Sequence, residues 1–370
     1  MSRLPLRCSQ LGLTLIELMI SIAIGLVVVG AVTYLYLGSR GAYRGNAGLA
    51  QVQEAGRFAL DAITRDIRRA GALGCGSLLS VANSKPVSVN AAPAGLTVDA
   101  TTEVVGYPVA ATTTPPIATL PNGWTLPTGP GAIPHYWGGD VLQLQIASGA
   151  PVRVTANPNT ATGTLAIAGN AMPDDSSVKN FKQNDLAVLA NCSAATVFQV
   201  TSNPTTASTS LGFTGASGVI PVLAPPGTPG FTVDTYPTLQ HFDQITYYVG
   251  IIPGTFGTAT PRPALYRYSA TSGAEEIVEN IEDMDVMFGV GSGIGNPVAL
   301  TKFESTTAAQ ANGDWPNVAS IRVSLIAAGD QPGAAPPGQK VVFRGAPSTA
   351  PDTRLRQVFT ATAAVRDRIQ

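Results

Sequence analysis

Between Leu18 and Leu37 the chain runs 20 residues without a charge, and the residue directly before that run is a carboxylate, Glu17. As a helix, about 20 residues cover about 30 Å, the thickness of bilayer hydrocarbon. An ionised carboxylate in that medium costs roughly 2.5–3.5 kcal/mol on insertion scales. Ordinary membrane anchors avoid the cost, so Glu17 calls for a partner. No proline occurs between Pro5 and Pro86, so nothing forces the helix to break at the membrane surface. A chain with this start must be built around one long helix, part of it in lipid.

The apolar run is too long for a cleavable secretory signal, whose apolar core spans 7–15 residues, and no Ala-x-Ala site follows it. Arg3 and Arg7 precede it, which by the positive-inside rule keeps the N-terminus cytoplasmic. Arg40 and Arg44, on the far side, weaken that bias slightly. Residues 1–74 carry eight arginines against four acids, +4, whereas the whole chain is −1, so the remainder is −5. An acidic body argues against nucleic-acid binding driven by bulk charge.

Past Gly38–Gly48 the pattern becomes amphipathic. Leu49, Val52, Phe58, Ile63 and Ile67 are expected to form one broad apolar stripe, with Glu54, Arg57, Asp61, Arg65, Asp66, Arg68 and Arg69 over much of the rest. Glu54 with Arg57, and Asp61 with Arg65, have the spacing of helix ion pairs. The glycines at Gly71, Gly74 and Gly76 predict a helix stop near Ala72, giving some 60 residues from Leu13, about 90 Å of nearly continuous helix.

Gly12-Leu13-Thr14-Leu15-Ile16-Glu17-Leu18 closely resembles the processing signal of type IV prepilins and type II secretion pseudopilins. The resemblance implies that a membrane aspartyl protease, the prepilin peptidase, cuts between Gly12 and Leu13 and methylates the new Leu13 amine. The family more often has phenylalanine at that position. Gly12, lacking a side chain, lets an extended backbone enter a narrow cleft. After the cut the Leu13 amine is cationic, and Glu17 is expected to pair with the N-terminus of a neighbouring subunit inside an apolar fibre core. Such a pair favours correct register more than raw stability. Glu17 is thus an assembly residue, not a catalytic one.

Within that family, Asp66-Ile67-Arg68-Arg69-Ala70-Gly71 followed by Gly74-Cys75-Gly76 is similar to the helix end of PilW-type minor pilins. Looser likenesses are Asn191-Cys192-Ser193, Ala264–Arg267 with Glu276–Met284, and Leu355–Arg366. The implied fold is α+β and pilin-like: a cleaved leader at 1–12, a transmembrane helix at 13–38, an amphipathic continuation at 39–75 and a β-rich periplasmic body at 76–370. The implied role is a minor pilin that primes pilus assembly in a tip complex. Its partners would be prepilin peptidase, other minor pilins, the major pilin and a tip adhesin. The protein would sit in the inner membrane before assembly and in the fibre afterwards. A large pseudopilin of type II secretion is the nearest rival. A signal-anchored periplasmic enzyme and a DNA-uptake pilin belong to other classes; the first needs a convergent polar site and the second a basic stripe.

The body itself reads as strands and loops. Glycine and proline supply 68 residues (39 + 29) and charged residues only 12%, which suits a loop-rich β protein. Strands are expected at Glu103–Val109, Val141–Ile146, Val152–Thr155, Thr164–Ile167, Leu186–Leu189, Thr196–Thr201 and Gln244–Ile251. Others fall at Leu265–Ser269, Val286–Val290, Ser320–Ile326, Val341–Phe343 and Val358–Val365. Glu275–Ile281 is expected to be a short helix. Thr112–Pro134, Pro221–Gly230 and Gln331–Pro347 read as long loops or strand connections.

Removal of the leader would take Cys8 with it and leave Cys75 and Cys192, a disulfide pair in an oxidising compartment or two isolated thiols. Catalytic signals are scarce, and no enzyme activity, cofactor or metal is expected. His135 and His241 lack the spaced partners of a zinc site. The glycine-dense stretch Gly289–Gly295 is not a phosphate-binding fingerprint and is expected to be a flexible turn. Asp174-Asp175-Ser176-Ser177 and Glu282-Asp283-Met284-Asp285 are candidate calcium loops, or else solvated turns. Trp124, Tyr136 and Trp137 form either a partner-facing apolar patch or packing under a loop.

Overall fold

The structure, a computed structural model, describes residues 14–73, 76–77, 88–90, 103–109, 134–155, 163–167, 181–190, 195–204, 208, 210–213, 238–251, 262–269, 272–291 and 299–368. It opens with a single helix, α1 (Leu15–Ile67), of 53 residues and about 80 Å. Thr14 caps it, its hydroxyl accepting from the Glu17 amide at 3.3 Å. The helix ends several residues before the glycines because the sheet captures the chain. Ala70 bridges Ile146, and the Gly71 amide donates to the Gln145 carbonyl at 2.9 Å. Gly71 turns there at φ 74, a conformation glycine adopts without strain.

Eighteen short and long strands follow among the described residues. The first half holds β1 (Ala72–Leu73), β2 (Gly76–Ser77), β3 (Ser88–Asn90), β4 (Val104–Tyr107), β5 (His135–Arg153), β6 (Thr164–Ala166), β7 (Leu186–Ala190), β8 (Ala195–Gln199) and β9 (Ser210–Gly212). The second holds β10 (Thr238–Ile251), β11 (Ala264–Ser269), β12 (Gly273–Glu279), β13 (Ile281–Gly291), β14 (Leu300–Ser305), β15 (Val318–Ala328), β16 (Lys340–Phe343), β17 (Ala346–Thr349) and β18 (Arg356–Ala364). A short helix, α2 (Thr306–Asn312), lies between β14 and β15.

Two sheets dominate. The larger has eight strands in the order β12-β11-β10-β7-β8-β3, with β5 joining both β10 and β4; the smaller has the order β14-β13-β15-β18. Pairing is antiparallel except β3 with β8. The chain crosses from one sheet to the other at Asn280, between β12 and β13, in the left-handed conformation at φ 63. Asparagine tolerates that backbone better than other residues with a Cβ.

The main core fills the space bounded by α1 and both sheets. It joins Val52, Ile63 and Ile67 to Leu142 and Leu144 of β5, Val286 and Phe288 of β13, and Ile321 and Val323 of β15. A second core, around Leu165, Phe198 and Phe213, lies at the far end of the larger sheet.

Several local expectations change. Glu275–Ile281 is no helix: residues 273–279 are strand β12, because pairing with β11 and a 2.8 Å hydrogen bond from the Tyr266 hydroxyl to Glu276 outweigh helix propensity. On α1 the inward stripe is made of small residues, Gly48, Ala55, Gly56 and Ala59, together with Val52, Leu60, Ile63 and Ile67. Leu49 and Phe58 face outward, 40% and 55% exposed. Tyr136 and Trp137 belong to β5 and not to a loop, and Tyr136 is buried.

Candidate functional site: the amino-terminal helix

Among the described residues, the first half of α1 packs against no other element. Leu15, Ile16, Leu18, Leu26, Val29, Val32 and Leu37 are all more than half exposed. Glu17 is the sole charge between Leu15 and Ser39 and occupies the first helical turn, where the amide dipoles favour an anion. Two hydroxyls in this half bond within the helix: Ser21 donates to the Glu17 carbonyl at 2.7 Å and Thr33 to the Val29 carbonyl at 2.8 Å. The helix closes the backbone polar groups of this apolar half within itself, the condition for residence in lipid.

The second half is clamped to the body. Asp66, almost fully buried, accepts from the Tyr247 hydroxyl at 2.7 Å and from Arg267 Nε at 3.1 Å. Burial, then the Asp66 charge, raise the Tyr247 phenol well above its ordinary range, so it stays a donor. Arg69 Nη2 donates to the Ala147 carbonyl at 3.3 Å. At the helix end Glu103 sits against Gly71 and binds Arg368, an ion pair at 3.1 Å with both side chains buried. On the outer face Asp61 pairs with Arg65 as the spacing predicts. Glu54 and Arg57 do not pair.

Gly12 and Leu13, the expected cleavage and methylation residues, lie outside the described residues, as do Cys75 and Cys192. So do Trp124, Asp174–Ser177 and residues 292–298 of the glycine-dense stretch. The part of that stretch described, Gly289–Gly291, is strand rather than turn. A Cβ on Gly289 would come within 2.2 Å of Ser320 Oγ, so the glycine serves close strand packing.

Glu282–Asp285 is neither a calcium loop nor a solvated turn. It lies on β13, and arginines from the C-terminal region occupy its carboxylates. Glu282 accepts from Arg354 at 2.8 Å and from Arg356 at 2.6 Å. Arg344 reaches Asp140, Asp283 and Asp285, each at 3.2 Å. These partners are 59 to 204 residues apart, so no local spacing announces them.

His241 stacks on Phe181, ring centroids 3.9 Å apart, with Nδ1 3.8 Å from Asp185. Burial lowers its pKa and Asp185 opposes the shift. His135 opens β5. Among the described residues no three His, Cys, Asp or Glu side chains are arranged to hold a metal ion.

The geometry is that of an anchor with a folded head, and the comparisons agree with it. Residues 7–33 match the prokaryotic N-terminal methylation motif, which spans the Gly12-to-Glu17 signal and most of the apolar run. Residues 246–367 match the family described as type IV pilus-assembly protein W, covering strands from β10 to β18. No curated protein and no solved structure matches the chain. Pilin domains of this kind are structural, and the apolar helix, long enough to cross a membrane, is consistent with an inner-membrane-anchored pilin. A processing motif at one end and a pilus-assembly match at the other together match a minor pilin of the PilW type.

Proposed function

We propose that this protein is a minor pilin that primes type IV pilus assembly within a tip complex, after prepilin peptidase cuts between Gly12 and Leu13 and methylates the new amine. The supporting observation is the division of α1: a wholly exposed apolar half bearing one carboxylate, and a half locked into a β-rich head. Glu17 on an unpartnered apolar surface has its best counter-ion in the Leu13 amine of a neighbouring subunit. The match to the pilus-assembly family favours this reading over a pseudopilin of type II secretion. Cys75 and Cys192 would be bridged in the periplasm.

Mass spectrometry of the chain purified from cells with and without prepilin peptidase tests the reading. The expected mature chain begins at methylated Leu13, and before reduction its digest contains the Cys75 and Cys192 peptides joined. Glu17→Ala should still insert and be cut, yet be missing from sheared fibres. A leader retained in the presence of the peptidase, or normal piliation by Glu17→Ala, would overturn it.

A further inference from the structure

We propose that the groove between α1 and β12 is a docking site for the Arg40–Arg44 turn of a second copy of this chain, displaced along the helix axis. This rests on the pilus-assembly reading above. The groove holds about 320 Å³, and Ala55, Phe58 and Val278 give it an apolar floor. Glu54 from the helix and Glu279 from the end of β12 flank it, both exposed and neither in an ion pair among the described residues. At one end stands Asn280, 2% exposed, whose side-chain oxygen accepts no hydrogen bond among the described residues. That end is rigid: Asp330 Oδ1 accepts from Asn280 at 2.7 Å, and Asp330 Oδ2 accepts from Gln51 at 2.6 Å. Arg57 lines the outer flank of α1 beside Asp61, and Arg262 stands at the Asn280 end, where it is already paired with Asp330 at 3.5 Å.

Such a groove asks for an apolar side chain framed by cations that donate hydrogen bonds. The chain carries that element itself. Arg40 and Arg44 lie one helical turn apart, Tyr43 between them is 75% exposed, and neither arginine has an ion-pair partner among the described residues. One surface is acidic around a phenyl ring and the other basic around a phenol ring. Glu54 and Glu279 on one surface, and Arg40 and Arg44 on the other, have no ion-pair partner among the described residues, so each surface can supply the other's counter-charge.

The two surfaces differ, so the contact is head-to-tail and does not close on itself. They sit about 14 residues apart on one straight helix, so the second copy must be shifted by roughly 20 Å. Two copies seated at equal depth in a bilayer cannot make it. It forms when one subunit has been lifted past the other, which makes it a contact of the assembling array.

The test uses the full chain in piliated cells, with Phe58 replaced by the photo-crosslinking residue p-benzoylphenylalanine and a second, differently tagged copy co-expressed. The expected crosslink joins position 58 to the Arg40–Arg44 region of the second copy. Glu54→Lys with Glu279→Lys should lower its yield about tenfold, as losing about 1.4 kcal/mol would. Arg40→Glu with Arg44→Glu on the second copy should restore it. A crosslink to another region, to a different protein, or one indifferent to charge reversal overturns the proposal. So does a chain present in sheared fibres without the crosslink. A crosslinked chain absent from fibres would instead overturn the pilus reading.

Discussion

Asp66 is the residue on which the helix is fastened. Its carboxylate is nearly closed to solvent and answers Tyr247 and Arg267 together. Asp66→Asn keeps the shape and removes the charge, leaving Arg267, 23% exposed, beside an uncharged amide. Removing one partner of a buried pair costs about 3–5 kcal/mol, and the partial exposure of Arg267 places the expected loss near the lower value. Tyr247→Phe should cost about 1–2 kcal/mol, the worth of one hydrogen bond to a charged group. Denaturant melts of the detergent-solubilised chain check both, and additive losses in the double variant would contradict a shared network. A second residue reports through pH. Burial pushes Asp283 up to about 6, against the pull of Arg344. Its folded pKa therefore lies above the unfolded value of about 3.9. Its favourable contribution is complete below about pH 4 and is lost as pH rises through about 6. Asp283→Asn cannot ionise, so its stability relative to the parent should climb between those pH values. The carboxyl is one-third exposed, so a climb of about 1 kcal/mol is expected. A flat difference would refute it.

At the scale of elements, α1 meets β18 through glycine. A Cβ on Gly56 would lie 2.2 Å from Cδ2 of Phe359, so the ring lies directly against the helix backbone. Gly56→Ala should cost about 1–3 kcal/mol by overpacking, although alanine is the better helix former. Phe359→Leu in the same chain should recover part of it, and a chain stabilised by Gly56→Ala alone would contradict this packing. The same contact explains why the sequence reading misplaced the stripe. Hydrophobicity singles out Leu49 and Phe58, but a helix lying this close to a sheet buries its smallest residues and turns large ones outward. The apolar run and its carboxylate were legible because lipid imposes a constraint that every residue in a span obeys. So were most of the strands, where β-branched runs carry their own signal. Strand β12 was not: Glu275–Glu279 has helical composition and becomes a strand through pairing with β11, a partner the local sequence does not contain.

For the whole molecule, the joint that unites distant parts is the pair Glu103–Arg368. It lies where the end of α1, the start of β4 and the C-terminal turn after β18 converge. Arg368 also donates to the carbonyl of Val318 at 3.2 Å, so one guanidinium ties the last turn to the start of β15. Nothing in the sequence marks this pairing across 265 residues. Both side chains are buried, so the separated partners are far costlier than the pair. Arg368→Met should lose about 3–5 kcal/mol by stranding Glu103, whereas adding Glu103→Gln should return much of it. The site of the joint decides the form of the melt as well as its midpoint. With Trp124 and Trp137 replaced by phenylalanine, Trp315, packed edge-on against Phe288 with centroids 5.0 Å apart, reports on the smaller sheet, and circular dichroism reports chiefly on the helix and all strands. If the pair holds helix, larger sheet and C-terminus in one cooperative unit, both signals should move together to lower denaturant in Arg368→Met. A tryptophan transition that shifts while the circular dichroism transition stays in place would show the joint to be local.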